Sequence, residues 1–340
     1  MTLVICPNLA IDRMLAGDLV RPGGMTRCHA LRTQAGGKGA NVLRATRALG
    51  GDGRLAGFAA GRGGRLIAEL AHEEGLELAL VATDGEARVS TVVLGDDGSV
   101  TRLYEFGPEV SPADEQALRE LAGGRAAGPG EWAVVTGAAP PGAAPGFYAA
   151  LVRTARAAGY RVLVDADGEQ LAGALAERPD LVKVNLAEAC SAVGEPGARC
   201  DDEQETAPEA LVADGLELCR RLRHAGAADA VLTLGAAGAA AVVDGAEWRV
   251  ATPKVRAVNP VGSGDAFAAG LTLALQRGEG TAAALRLAAA AGAANAVSPY
   301  NGDVDPALAW ELAGAAFAGP PEPSDAPRPP AGRRPPHPLH

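Results

Sequence analysis

Short, near-continuous apolar runs alternate along the chain with longer stretches in which apolar positions recur every three or four residues. The runs Leu3–Cys6, Ala133–Thr136, Val162–Asp165, Leu181–Val184, Val231–Leu234 and Ala239–Val243 predict strands. The periodic stretches Asn41–Ala48, Arg65–Glu74, Pro145–Ala158, Pro208–Ala225, Asp265–Arg277 and Thr281–Val297 predict helices. Apolar strands interleaved with amphipathic helices predict a doubly wound α/β fold. Its mostly parallel sheet is buried on both faces, and its ligands meet the carboxyl ends of the strands.

Two segments break the alternation. Arg88–Leu94 and Val100–Phe106 read as strands around a hairpin turn at Asp97-Gly98, and residues 12–34 lack helical periodicity and contain Arg21-Pro22-Gly23-Gly24. Segments of about 12–34 and 86–108 are therefore expected to form a small accessory β-sheet, usable as a lid over a site, as an edge for pairing with a second copy, or as both. Residues 1–318 are expected to form the main domain. Residues 319–340 are dominated by proline without apolar periodicity, which predicts a disordered tail.

Composition narrows the function. A formal net charge of −10 and a pI near 5.1 exclude a general nucleic-acid or anionic-membrane surface, so an anionic ligand must meet a local basic cluster. Five cysteines without C-x-x-C spacing, in a chain too large to need staples, point to a reducing cytoplasm. The N-terminus reads as a first strand and not as a signal peptide. The longest apolar run, Ala230 to Val243, falls short of the roughly 18 to 20 residues of a membrane span. Of the 31 basic residues only Lys38, Lys183 and Lys254 are lysine. A compact ammonium kept in an arginine-dominated chain hints at sites that need a point charge, although Lys254 alone suggests no role.

The chemistry centres on Val258 to Gly270. Pro260 follows a strand-like run, Gly262 and Gly264 permit a tight turn, and the residues after Asp265 have helical spacing, so a helix begins at about Gly264. Its free N–H groups, carrying roughly half a positive charge, form an anion site. Asp265 stands beside it as a candidate base for an attacking hydroxyl. The plain alternative is a loop with a capping aspartate.

Other stretches have the same double reading. Gly36-Gly37-Lys38-Gly39-Ala40-Asn41 is not a Walker A loop, yet Lys38 and Asn41 offer a charge and an amide at a helix start. Upstream, Asp12 can accept two hydrogen bonds from sugar hydroxyls, or serve as a turn residue. Lys183-Val184-Asn185-Leu186-Ala187-Glu188 ends a strand and opens a helix. There Glu188 can hold Mg²⁺ through its waters while Lys183 faces phosphate, or Asn185 and Glu188 can be a capping pair. Thr233-Leu234-Gly235-Ala236-Ala237-Gly238 ends a strand in a glycine turn. A Gly-x-Gly-x-x-Gly dinucleotide fingerprint after a strand is missing, which removes the dehydrogenase reading of an α/β sheet.

Taken together, Asn-x-x-x-Asp-Arg at 8–13, Gly-Gly-Lys-Gly-x-Asn at 36–41, Pro-Pro-Gly at 140–142, Lys-x-Asn-x-x-Glu at 183–188, Leu-Gly-Ala-x-Gly at 234–238 and Gly-Ser-Gly-Asp at 262–265 resemble the ribokinase-like PfkB family of carbohydrate kinases. Within it the chain is most similar to the branch of 1-phosphofructokinases, tagatose-6-phosphate kinases and the minor 6-phosphofructokinase. The resemblance covers residues 2 to 317. It implies a sheet-and-helix core with a β lid, able to pair into a homodimer, and transfer of the γ-phosphoryl of ATP, with Mg²⁺, to a sugar-phosphate hydroxyl. It implies Asp265 as the base and Gly262, Ser263 and Gly264 as the anion hole. Lys183, Asn185, Thr233, Gly235 and Gly238 would face the nucleotide, Asn295 would lie near the adenine, and Glu188 would organise Mg²⁺. Asp12, Gly37, Lys38 and Asn41 would bind the sugar, Arg88 would grip its phosphate, and Arg27 is a weaker candidate.

The departures fall on the sugar side. Where the branch commonly has Ser-Gly-Ser-Leu-Pro-Pro-Gly this chain has Thr136-Gly137-Ala138-Ala139-Pro140-Pro141-Gly142, Leu9 replaces the usual proline after Asn8, and Ser90 stands for a common asparagine. The reading is a kinase of fructose 1-phosphate first, then of fructose 6-phosphate or tagatose 6-phosphate. A kinase of unphosphorylated sugars or nucleosides is the alternative. A non-catalytic sugar-phosphate-binding regulator would be expected to lack the base or the anion hole, and both are present.

Overall fold

The computed structural model describes residues 1–193 and 208–321. The elements run β1 (Thr2–Ile5), β2 (Ala10–Gly17), β3 (Cys28–Gly36), α1 (Lys38–Ala48), β4 (Gly53–Ala60), α2 (Gly61–Glu73), β5 (Glu77–Thr83), β6 (Arg88–Gly95), β7 (Val100–Tyr104) and α3 (Pro112–Gly123). They continue with β8 (Trp132–Thr136), α4 (Phe147–Ala157), β9 (Arg161–Asp165), α5 (Gly168–Ala176), β10 (Leu181–Asn185), α6 (Leu186–Ala192), α7 (Pro208–His224) and β11 (Asp229–Thr233). The last are β12 (Ala239–Val243), β13 (Ala246–Ala251), α8 (Ser263–Gln276), α9 (Thr281–Ala296), α10 (Pro306–Ala315) and β14 (Phe317–Gly319).

The larger sheet has the order β14-β13-β12-β11-β10-β9-β8-β1-β4-β5. It is parallel from β11 to β5 and antiparallel from β11 out to β14. Alternate residues of each strand enter opposite cores, as the period of two requires. Val4, Val134, Leu163 and Val231 point into one, with α1, α2, α8 and α9. Leu3, Val135, Val164 and Leu232 point into the other, with α3, α4 and α7. This is the doubly wound α/β architecture that the alternation predicts. Small residues let α8 and α9 approach closely: a Cβ on Gly270 would stand 2.9 Å from the Leu287 carbonyl oxygen.

The chain builds more elements than the pattern predicts. β4 reads Gly-Arg-Leu-Ala-Gly-Phe-Ala-Ala, without a β-branched residue, yet pairs with both β1 and β5. Packing against both neighbours overrides its poor strand propensity. β14 pairs Phe317, Ala318 and Gly319 with Ala251, Val250 and Arg249. This edge strand ends at Gly319, the first residue of the expected tail. Residues 322–340, the rest of that stretch, lie outside the described residues.

The second sheet has the order β3-β2-β6-β7, with β2 and β6 parallel and the outer pairs antiparallel. The Asp97-Gly98 turn closes it, with Gly98 at φ 84° and its N–H donating to the Gly95 carbonyl at 2.9 Å. Register places Asp12, Ser90 and Tyr104 in one row across three strands. Among the described residues no helix is long and apolar enough to cross a membrane.

Candidate functional site

The carboxyl ends of β8, β10 and β11, the amino ends of α1, α6 and α8, and one face of the small sheet enclose a cleft of about 1570 Å³. Sites for one small molecule use about 300–1,000 Å³, so the cleft has room for two substrates. Every residue given a catalytic, substrate, nucleotide or metal role in the sequence reading lines it except Asn295 and Arg27. Arg27 lies exposed on the β2–β3 connection.

Gly262 caps α8 in the left-handed region at φ 86°. A Cβ there would stand 2.7 Å from the Gly302 nitrogen, so the position needs glycine for both reasons. The Ser263 N–H turns back to the Pro260 carbonyl at 3.2 Å. The N–H groups of Gly264 and Asp265 have no intrahelical acceptors. Asp265 is 5% exposed, and its Oδ2 accepts from Asn41 Nδ2 at 2.9 Å. Burial drives its pKa up to about 7, with Asp165 acting in the same direction and Lys38, Asn41 and Lys183 opposing. A carboxylate so tuned can take a proton near neutral pH.

A chain of charge runs along the floor. Lys38 Nζ donates to Asp165 Oδ1 and Glu188 Oε1, each at 3.0 Å, and Lys183 Nζ donates to Asp165 Oδ2 at 2.8 Å. Burial alone would raise the pKa of the fully buried Asp165, but the two ammonium groups outweigh it and hold the carboxyl below its ordinary value. Lys38 is pushed well above its usual range: desolvation opposes its charge, and Asp165, Glu188 and Asp265 more than offset that. The capping reading at α6 holds as well. Asn185 accepts from the Glu188 N–H and Glu188 Oε2 accepts from the Asn185 N–H, both at 2.9 Å.

On the small-sheet side Asp12 is 3% exposed, and its Oδ2 accepts from Asn301 Nδ2 at 3.1 Å. A Cβ on Gly36 would stand 2.2 Å from its Oδ1, so only glycine leaves this carboxylate in place. Arg88 donates through Nε and Nη2 to the Asn8 carbonyl at 3.3 and 3.1 Å, and through Nη1 to Ser90 Oγ at 3.1 Å. Arg102 on β7 lines the same cleft. Ala138 also fronts it, where the branch pattern would have a hydroxyl.

At the other end, Thr233, Gly235 and Gly238 line the cleft with Lys254, so all three lysines of the chain border it. The α9 face turned to this end carries Ala289, Gly292, Ala293 and Ala296. Asn295, expected near an adenine, is instead fully buried behind α8, because its amide is committed there. Its Nδ2 donates to the Val261 carbonyl at 3.0 Å and to Ser263 Oγ at 3.1 Å, and its Oδ1 accepts from the Gly302 N–H at 2.7 Å.

Four residues of the site carry no motif. Asp165 ends a predicted strand, so an acid at a parallel strand's carboxyl end was a readable signal. Arg44, Arg102 and Asn301 gave none. Arg44 donates to Asn41 Oδ1, the Ala35 and Asn301 carbonyls and Glu74, contacts that only the fold assembles.

Among the described residues no group of three His, Cys, Asp or Glu is placed to hold a metal alone. Glu188, a hard oxygen donor 15% exposed at the cleft, suits Mg²⁺, which takes one or two carboxylates together with substrate phosphates and waters.

The sequence profile of the family described as pfkB family carbohydrate kinase matches residues 2–306. The ATP-dependent 6-phosphofructokinase isozyme 2 of Mycobacterium tuberculosis (strain ATCC 25618 / H37Rv) is 32% identical over 301 residues, covering 87% of this chain and 84% of that protein. The 1-phosphofructokinase of Haloferax volcanii is 31% identical over 288 residues, with 84% and 88% covered. The crystal structure of phosphofructokinase-2 from Escherichia coli in complex with fructose-6-phosphate superposes with a TM-score of 0.80 at 25% identity, covering 92% of this chain and 98% of that one.

Proposed function

The chain belongs to the pfkB family of carbohydrate kinases, and we propose that it transfers the γ-phosphoryl group of ATP to a phosphorylated hexose, fructose 1-phosphate first. Fructose 6-phosphate is the second reading, favoured by the name of the relative at 32% identity. Either acceptor gives fructose 1,6-bisphosphate.

One contact carries the reading: Asn41 of the glycine-lysine loop bonds the buried Asp265 beside a helix N-terminus. An acceptor hydroxyl held by Asp12 and Asn41 would give its proton to Asp265 while its oxygen attacks the γ-phosphorus. The oxygen–phosphorus bond to ADP breaks and its electron pair leaves with ADP. Lys183, whose Nζ would be 3.0 Å from a Cβ on Gly264, lies at the start of α8 and meets the transferring charge with the helix N–H groups. Asp165 keeps both lysines in place. Glu188 would hold Mg²⁺ arriving with the nucleotide, which supplies neutralising charge on its phosphates. Arg88 and Arg102 supply the local positive charge that a sugar phosphate needs in a chain of net charge −10.

ADP release from Mg-ATP tests this with fructose 1-phosphate, fructose 6-phosphate, tagatose 6-phosphate, fructose and ribose as acceptors. A sugar phosphate should exceed both free sugars in kcat/KM; the reverse order overturns the reading.

The partner in this reading is a second copy, and the compartment the cytoplasm. Met25, Leu103 and Phe106, on or beside the small sheet, are 81%, 57% and 92% exposed, which supports pairing through that sheet. Sedimentation of Leu103→Lys beside the parent checks it.

A further inference from the structure

We propose that Asn301 is a positioning residue that holds the acceptor-binding carboxylate of Asp12 on one side and the anion-hole loop on the other. This rests on the reading of Asp12 as a ligand of the acceptor's hydroxyls. Asn301 lies in the turn between α9 and α10, outside every motif of the chain. It is 3% exposed, and both ends of its amide are engaged. Nδ2 donates to Asp12 Oδ2 at 3.1 Å, and Oδ1 accepts from Asn259 Nδ2 at 3.0 Å. Asn259, fully buried, accepts the Val261 N–H on its own Oδ1 at 3.0 Å and donates also to the Pro299 carbonyl at 3.1 Å. An unbroken line of hydrogen bonds therefore joins the acceptor carboxylate to the residue before Gly262.

The backbone of the same turn repeats the connection. The Asn301 carbonyl accepts from Gln34 Nε2 at 2.9 Å and Arg44 Nη1 at 3.0 Å, at the root of the small sheet and on α1. The next N–H, of Gly302, donates to Asn295, which in turn donates to the Val261 carbonyl and Ser263 Oγ. A Cβ at Gly302 would strike Asn41 Cα at 2.6 Å, so the turn packs directly on the backbone of the residue whose amide bonds Asp265. The amide of Asn301 can be oriented in only one way, since Asp12 accepts and Asn259 Nδ2 donates. Burial raises the pKa of Asp12, and the Asn301 donor, which favours the ionised carboxylate, is the foremost of the contacts that oppose that rise. The charged or titratable groups around Asp12 are Arg44 on α1, Arg88 on β6 and Tyr104 on β7.

The experiment measures binding of fructose 1-phosphate and fructose 6-phosphate by calorimetry at pH 8 and pH 6, with steady-state kinetics and melting temperature alongside. Asn301→Ala should weaken the sugar phosphate by about tenfold, the weight of one charge-assisted hydrogen bond. It should also lower kcat, while KM for ATP stays within about threefold of the parent. Asn301→Asp is isosteric and keeps the acceptor for Asn259, but at pH 8 it sets two carboxylates against each other. At pH 6 a shared proton restores the donor, so the ratio of its affinity to the parent's should recover. Taking the ratio removes the titration of the sugar phosphate and of Asp265 across the cleft, which parent and variant share. A loosened turn would give the same deficit at both pH values, and that result overturns the proposal, as does parent-like binding by Asn301→Asp at pH 8. The Asp variant decides the matter if the Ala variant does not fold. Asp12→Ala separates the two levels. If it weakens the sugar phosphate and Asn301→Asp does not, the bridge alone fails; if it binds like the parent, the acceptor site has been misread and the bridge falls with it.

Discussion

Asn41 Nδ2 donates to Asp265 Oδ2 at 2.9 Å across 224 positions of sequence, tying the amide of one glycine-rich helix start to the carboxylate of another. Each lies in the first turns of a helix whose cap is a glycine, Gly37 or Gly262. Their bond places an amide donor and a proton acceptor around one point in the cleft, and the consequences of that pairing are measurable.

Asp265→Asn should keep nucleotide binding and lower turnover by roughly 10² to 10⁴, the usual weight of general-base catalysis. In the parent, kcat/KM for the sugar phosphate should fall as pH drops below about 7, because protonation of Asp265 removes the base. Turnover of the variant within tenfold of the parent, or a flat profile between pH 5.5 and 8, would remove Asp265 from that role.

The same substitution should stabilise the ligand-free protein. The folded pKa of Asp265 lies above the unfolded one, so the folded state binds the extra proton and stability declines as pH rises from about 4 through 7. Asn imitates the protonated acid. At pH 8 it should add stability up to about 4 kcal/mol, the rise from the ordinary carboxylate value to about 7 at roughly 1.4 kcal/mol per tenfold in proton affinity, with the gain gone near pH 4. Thermal melts of parent and variant at both pH values check the sign. Equal melting temperatures at pH 8 would mean that the carboxylate bears no burial penalty.

Glu188→Gln should raise the Mg²⁺ concentration for half-maximal rate more than it raises KM for the sugar. Gln can still serve the capping pair with Asn185, so α6 should keep its start, and the melting temperature should change little. An unchanged Mg²⁺ titration would leave Glu188 as a cap and a partner of Lys38 only.

What the sequence made legible follows from how far each signal reaches along the chain. Helix starts, glycine turns and scarce lysines are local, and they point to Asp265, Gly262, Lys38 and Lys183, all of which border the cleft. Parallel strands with continuous apolar runs were equally readable. β4 was not, because its alanines and glycines form a strand only between β1 and β5. Asn295 shows the limit of carrying a role over by position: its amide serves backbone and hydroxyl groups behind α8, which no spacing reveals. Asn301 meets Asp12 across 289 positions, so its place in the site exists only in three dimensions.

Truncation tests where the body ends. Removal of residues 322–340 should leave melting temperature and kinetics unaltered, since a proline-rich stretch without apolar periodicity has little to bury. Removal from Phe317 onward takes β14 from the edge of β13 and should lower the melting temperature. Loss of stability in the shorter deletion would show that the tail docks on the body.

Substitution of Arg88 tests whether the acceptor carries a phosphate. Its guanidinium is already braced by the Asn8 carbonyl and Ser90 Oγ, so its fork is held at the cleft before any ligand arrives. Bound phosphate would add charge-assisted contacts of about 1.5 to 3 kcal/mol each, roughly tenfold to a hundredfold in affinity. Arg88→Ala should therefore raise KM for the sugar phosphate by at least about tenfold with KM for ATP nearly unchanged. Arg88→Lys should not restore it, because a single ammonium cannot reach both the Asn8 carbonyl and Ser90 while presenting a planar edge. For free fructose neither change should matter. Should the parent prefer free fructose and Arg88→Ala leave that activity intact, the arginine is a structural tie between β6 and the Asn8 turn, and the acceptor is an unphosphorylated sugar.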